Sequence, residues 1–346
     1  MANNEIIKSI KIRELFGRLN YDIDFSNNED ISILIAPNGT GKSTIFHFVQ
    51  YMLEPSYQRY ENLHNTSFKS FLIELSNGYD VLLESNNNEH EEMEHYPEYF
   101  CSLSFSIKAR DGKQVNTDRE RMKEYAEFLD ENNTLKAKNI YLSLRSKHDE
   151  IKDWKESEEI KKEAINTFYK LMGIMLESSG NLHHVRHIEA NREDSIVFNK
   201  YKENLFKVLQ GDLDERVNEY LNILNEKHKE EEIKFIIAHN LRNEIVMKVC
   251  NTYDENNVFS IDKLSSAQKN DLVLYFYLIF RLNNEDLFLI DEPELSQHID
   301  EQEKIIGNII DIKKTKGFQA IVATHSPYVV SIYFNLLAYK EVFKSE

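Results

Sequence analysis

The chain has 346 residues, 41% of them hydrophobic, enough apolar material for a core, which excludes global disorder. A formal net charge of −17 excludes a protein that grips nucleic acid by bulk electrostatics, because phosphate neutralisation needs clustered Lys and Arg. Two cysteines, Cys101 and Cys250, exclude a disulfide framework and fit a reducing compartment.

Met1–Glu5 lacks a basic region followed by an apolar stretch, so no secretion signal is expected there. The longest apolar run, Leu272 to Phe280, is far shorter than the roughly 20 residues of a membrane span. The expectation is a soluble, cytoplasmic protein with no membrane partner.

Three zones follow in chain order. In residues 1–85, Ile6 to Ile12 and Tyr21 to Phe25 alternate apolar with polar residues, and Ile31 to Ile35 is a short β-rich run. A helix is predicted from Ser43 to Leu53, then strands Phe71–Leu75 and Tyr79–Glu84 around the hairpin signal Asn77-Gly78. Residues 86–240 open with the acidic run Glu89–His95 and then become mainly helical. Ile160, Ala164, Phe168 and Leu171 share one face, as do Val217, Leu221 and Leu224. Residues 241–346 return to alternating elements: a helix from Ala267 to Leu282, strand Leu287–Ile290, a helix over Asp300–Ile312, and strand Ala320–Ala323. Such alternation implies an α/β fold with a parallel sheet, formed by the outer zones and interrupted by a helical insertion.

Residues 36–44 read Ala-Pro-Asn-Gly-Thr-Gly-Lys-Ser-Thr between a β-run and a helix, the context a phosphate-binding loop requires. Glycines at 39 and 41 let main-chain N–H groups turn inward, and the following helix adds its N-terminal dipole. Lys42 would reach the β- and γ-phosphates of ATP and the Ser43 hydroxyl would ligate Mg²⁺, so Asn38, Gly39, Thr40, Gly41, Lys42, Ser43 and Thr44 form the expected nucleotide site. Ala36 replaces the first glycine of the full pattern, which is tolerable at negative φ.

Asp286–Asp291 is an apolar strand that ends in Asp291-Glu292-Pro293. Asp291 is expected beside Mg²⁺ and Glu292 as general base for the attacking water, although the pair could also cap the next helix. His325, after the apolar strand that ends at Thr324, is a candidate γ-phosphate sensor. Leu264-Ser265-Ser266-Ala267-Gln268 opens a helix whose N-cap is Ser265 or Ser266, a second helix start able to face an anion.

The order Ala36–Thr44, Leu264–Gln268, Leu289–Pro293, Thr324–His325 resembles the head of an ABC-type P-loop ATPase. Asp291-Glu-Pro-Glu294, Thr324-His-Ser-Pro327 and the opening Leu15-Phe-Gly17 with Tyr21-Asp-Ile-Asp24 resemble the RecF/SMC/OLD-like group. The resemblance covers the outer zones and implies heads that dimerise, or assemble further, around ATP. Ser265 would contact the γ-phosphate held by the other copy, with Ser266 and Gln268 beside it, and Lys42, Glu292 and His325 would act in catalysis. Ala267 stands where the group carries glycine. Val185–Arg192 resembles a strand-plus-arginine element, which makes Arg192 a nucleotide-site candidate, with Tyr141–Arg145 as its rival.

Stand-alone heads of this kind serve in anti-phage defence beside a nuclease or toxin, the effector partner expected here. RecF-like DNA repair and, less favoured, the ATP-binding subunit of a transporter are the alternatives. Lys136, Lys138, Arg145, Lys147, Arg186 and Arg192 could give nucleic acid a local basic surface, or be ordinary solvated charges. His183, His184 and His187 lack the sequence partners of a zinc site and read as surface histidines.

Overall fold

The computed structural model of the chain describes residues 6–26, 31–56, 66–85, 100, 102–112, 127–130, 132–146, 154–189, 192, 194–211, 215–331, 333–337 and 339–344. The acidic run Glu89–His95 and Lys147 lie outside these residues.

Three sheets form. The largest is antiparallel and contains β1 (Ile7–Leu15), β2 (Leu19–Asp24), β4 (Ser70–Leu75), β5 (Tyr79–Ser85), β6 (Leu103–Ala109), β7 (Leu135–Lys136) and β14 (Tyr339–Lys344), in the order β14-β2-β1-β4-β5-β6-β7. The second is parallel and contains β3 (Ile31–Ile35), β8 (Val185–Ile188), β12 (Leu287–Asp291) and β13 (Gln319–Thr324), in the order β3-β13-β12-β8. The third is antiparallel, β9 (Ile233–His239), β10 (Ile245–Asn251) and β11 (Asp254–Ser260), with β10 in the middle.

Helices cover both faces of the parallel sheet. They are α1 (Lys42–Leu53), α2 (Ala137–Ser146), α3 (Trp154–Ser178), α4 (Ser195–Gln210), α5 (Glu215–Lys227), α6 (Ser266–Phe276), α7 (Ile299–Lys316) and the short α8 (Pro327–Val330). Because side chains alternate across a strand, each central strand feeds two cores. Leu287 and Leu289 of β12, Ile321 and Ala323 of β13 and Leu34 of β3 pack with α1, α3 and the large sheet. Phe288 and Ile290, Ala320 and Val322, and Ile31 and Ile33 point the other way, into a core completed by α4, α5, α6 and α7. The apolar runs seen in the sequence are the signature of this two-sided burial.

A buried amide closes the seam between the two larger sheets. Gln319 Oε1 accepts from the backbone N–H groups of Ile6 at 2.9 Å and Ile7 at 2.8 Å, and its Nε2 donates to the Ile7 carbonyl at 2.9 Å.

The middle zone differs from its expected character. Besides α2–α5 it supplies β6 and β7 to the large sheet, β8 to the parallel one and the whole of β9. β8 is a four-residue edge strand, Val-Arg-His-Ile, too short and too polar to announce itself by periodicity. α6 runs into a π-helical turn at Tyr277–Arg281, which completes the long helix read from the sequence. No helix among the described residues is long and apolar enough to cross a membrane.

Candidate functional site

The loop between β3 and α1 owes its shape to two glycines. Gly39 and Gly41 take φ of 77° and 86°, in the left-handed region that a Cβ disfavours. At Gly41 space is short as well: an added Cβ would stand 3.0 Å from Leu15 Cδ2 and 3.1 Å from Phe16 Cε2. At Gly39 it would meet nothing within 4 Å, so the loop's outer side is open. Ala36 does not take a positive φ, as its replacement of glycine demands.

Three bonds hold the loop. The Tyr21 hydroxyl donates to the Thr40 carbonyl, Thr40 Oγ1 donates to the Pro37 carbonyl at 2.8 Å, and Ala36 N–H donates to the Thr324 carbonyl at 3.4 Å. The Leu15-Phe16-Gly17 and Tyr21 segments therefore brace the loop directly. Lys42, 8% exposed, folds its ammonium back onto the carbonyls of Ala36 at 2.8 Å and Pro37 at 3.2 Å.

The parallel sheet brings the far partner to this loop. β12 ends at Asp291, and the Ser43 hydroxyl hydrogen-bonds Asp291 Oδ2 across 248 residues of chain. Burial pushes the Asp291 carboxyl above its ordinary pKa, the Ser43 hydrogen bond opposes this, and the Glu292 charge adds to it. Its other oxygen, Oδ1, is buried and has no hydrogen-bond partner among the described residues.

Glu292 has φ of 43°, strained for a residue with a side chain, and its N–H donates to the Ala323 carbonyl at 2.8 Å. His325 Nδ1 lies 3.1 Å from Glu292 Oε1, so the expected base and the expected sensor share a hydrogen bond. Behind them, the Thr324 hydroxyl donates to Glu294 Oε1 at 2.5 Å and accepts from Ser326 N–H at 2.9 Å. Glu294, 3% exposed, ties the Asp-Glu-Pro-Glu and Thr-His-Ser-Pro segments into one unit. That role was not read from the sequence, though the parallel appearance of the two tetrapeptides was the available signal.

Ser265 caps α6. Its hydroxyl accepts from Gln268 N–H at 3.3 Å while Gln268 Oε1 accepts from Ser265 N–H at 2.9 Å, a reciprocal capping box. Gln268 also donates to Glu231. Its side chain is therefore bonded at both ends within the fold. Ser265 and Ser266 are exposed, and no hydrogen bond among the described residues joins them to the loop 36–44.

Behind the cap, Asn270 donates to the Leu295 carbonyl at 2.9 Å, and Gln297 donates to Asp271 at 2.9 Å and to the Ala267 carbonyl at 3.4 Å. Buried His228 approaches Asp271 Oδ2 at 3.3 Å and Glu231 at 2.8 Å. Burial alone would lower its pKa, but the hydrogen bonds and charges of Asp271 and Glu231 win and hold it above the ordinary value.

Arg192 lies inside the fold. It is 1% exposed, and its guanidinium donates to the carbonyls of Asp291 at 3.3 Å, Glu292 at 3.3 Å and Pro293 at 2.9 Å. A planar fork of donors is suited to several carbonyls at once, so it shapes the backbone that carries Asp291 and Glu292. This also removes it from any basic surface, and Lys136 is paired with Asp130 at 3.5 Å. His187 is half-buried on β8 rather than a surface residue.

Three observations suit a magnesium nucleotide here: two left-handed glycines with open space at Gly39, a lysine whose ammonium sits on the loop, and an Asp291 carboxylate that bonds the Ser43 hydroxyl through Oδ2 while its buried Oδ1 has no partner among the described residues. A family model described as AAA ATPase domain (AAA_15) matches residues 6–330. Among solved structures, the SmcHead bound to the C-winged helix domain of ScpA is 12% identical at a TM-score of 0.45, covering 98% of this chain and 98% of that one. The Smc head domain with an extended coiled coil bound to the C-terminal domain of ScpA, derived from Pyrococcus furiosus, is 13% identical at a TM-score of 0.43, covering 94% of this chain and 91% of that one. No curated protein matches the chain.

Proposed function

Because the chain belongs to the family of AAA ATPase domains, matched over residues 6–330, we propose that it binds Mg-ATP at residues 38–44 and hydrolyses it between two copies of itself. The observation that carries this reading is the Ser43–Asp291 hydrogen bond, which joins the phosphate loop to the acidic strand end at the one place where a magnesium ion needs oxygen donors. Main-chain amides around Gly39 and Gly41, with Lys42, would hold the phosphates, and Ser43 and Asp291 would hold the ion. Bound there, magnesium supplies positive charge against the β- and γ-phosphate oxygens.

Glu292 has the place of the general base. Its strained backbone, the Arg192 bonds to its carbonyl and neighbour, and the His325 contact all fix where its carboxylate points. His325 then couples that carboxylate to the γ-phosphate end of the pocket. Ser265 acts in trans: it stands exposed at the start of an 11-residue helix, and the motif resemblance of the head supports a second copy bringing a phosphate to it. The output is regulation of an effector protein, a nuclease or toxin of anti-phage defence, supported by the motif resemblance of the head.

Nucleotide binding followed by fluorescence tests the first step. Lys42→Ala should abolish ATP binding, and normal binding would remove the loop assignment. For the trans step, inactive Lys42→Ala and Ser265→Ala chains are mixed; recovered turnover supports composite sites, and no recovery at all rejects them. Pull-down with Glu292→Gln, which should trap ATP, tests the effector reading: capture of a nuclease or toxin upholds it, and capture of a permease or replication protein overturns it.

A further inference from the structure

α1 and β8 meet just beyond the magnesium position, and chemistry collects there that the ATPase reading does not use. His47 lies one turn after Ser43 on α1, His187 lies on β8, and Glu189 directly follows that strand. One ligand atom from each, two imidazole nitrogens and a carboxylate oxygen, lie within 4.8 Å of one another. The two imidazole rings stand edge to face at 5.3 Å, and Phe46 packs its ring against His187 at 5.6 Å, which fixes the second imidazole from behind. His47 Nε2 is buried and has no hydrogen-bond partner among the described residues. A buried ring nitrogen without a partner is costly, and a metal ion would satisfy it.

We propose that His47, His187 and Glu189 form a binding site for a divalent transition-metal ion of the zinc type, distinct from the magnesium position at Ser43 and Asp291. Donor chemistry sets the class of ion. Imidazole nitrogen suits zinc, cobalt and iron, whereas magnesium favours an all-oxygen shell. A shared ion sits about 2.0–2.2 Å from such donors, so the three must draw somewhat closer than their present limit. Glu189 is exposed and its side chain is free to close that gap. The Arg192 guanidinium bonds the Glu189 carbonyl at 3.4 Å and anchors the backbone from which that carboxylate reaches. Three protein ligands leave a tetrahedral ion one open position. Such an ion would staple α1, whose first turn carries Lys42 and Ser43, to the edge strand of the parallel sheet.

The competing account is that the histidines merely pack the α1–β8 seam, and metal binding separates the two. The full chain, stripped with chelator and free of any affinity tag and nucleotide, is titrated with Zn²⁺ and, for its visible absorption, Co²⁺. One equivalent per chain is expected. Binding should weaken by more than about tenfold in His47→Ala and in His187→Ala, since even outer partners of a metal site cost that much, and should persist in Lys42→Ala and Asp291→Asn. Zn²⁺ should raise the melting temperature of the wild type and fail to raise that of the histidine variants. Should those variants not fold, Glu189→Ala, changed at an exposed position, carries the test by the same tenfold weakening. Absence of stoichiometric zinc, binding that survives loss of both histidines, or binding lost in Asp291→Asn overturns the proposal. The last result would place the ion on the magnesium donors, and the ATPase reading would stand untouched.

Discussion

Two helix starts in this molecule carry motifs of the same kind, and they are capped differently. The start of α1 is held from outside itself: Tyr21, Thr324 and Asp291 each reach it from distant segments, and Lys42 closes over it. The start of α6 is capped by its own residues, Ser265 and Gln268 bonding each other, while Glu231 and Gln297 reach its first turn from elsewhere and Ser265 and Ser266 stay exposed. One is an assembled pocket; the other is an exposed surface, which in the proposed function is completed by a second copy. Under the proposed function, binding belongs to the single chain and turnover to a pair.

Substitutions can break or sharpen that contrast. The largest effect is expected at Glu292: the Gln variant should bind ATP normally and lose about 10²–10⁴-fold in phosphate release, the range for removing a general base. Turnover at the wild-type rate would dissolve the distinction between the pocket and its chemistry. Gly41→Ala should destabilise the fold by about 1–2 kcal/mol through the left-handed backbone, with crowding of Leu15 adding to it, as read from denaturant unfolding. Gly39→Ala shares the strain but not the crowding, so a smaller loss there would show that the brace from Leu15 and Phe16 matters.

Ser265→Ala should cost about 1 kcal/mol as a lost cap, leave nucleotide affinity unchanged and reduce turnover. A variant that bound ATP poorly would mean that this serine belongs to its own chain's pocket. The smallest effect concerns His228, whose folded pKa is raised above its unfolded value of 6.5. The stability it lends is fully present below that unfolded value and is lost as pH rises through the folded one. Melting temperature against pH should show this decline, and His228→Asn should flatten it.

The family and the fold class carried by contiguous residues were legible in the sequence. Residues 36–44 announce a phosphate loop because glycines, lysine and hydroxyl must follow one another there, and the runs at 287–291 and 319–324 announce strands buried on both faces. What escaped depends on distant encounters. Arg192 reads as a nucleotide-site candidate, and nothing local in the sequence shows its carbonyl partners 99 to 101 residues away. His187 reads as a surface residue until α1 lays His47 against it. Strand β8 itself is defined by pairing with β12 more than by its own pattern. The reciprocal cap between Ser265 and Gln268 likewise went unread, although both residues had been singled out.

The loop that leaves Glu292 also carries the first turns of α6, through Leu295 and Gln297 on one side and Ala267, Asn270 and Asp271 on the other. If two chains meet as proposed, loss of phosphate from one pocket would tug this loop and, with it, the serine presented to the neighbour's pocket. The pair would then fire in alternation rather than independently, a rhythm set by two amide side chains.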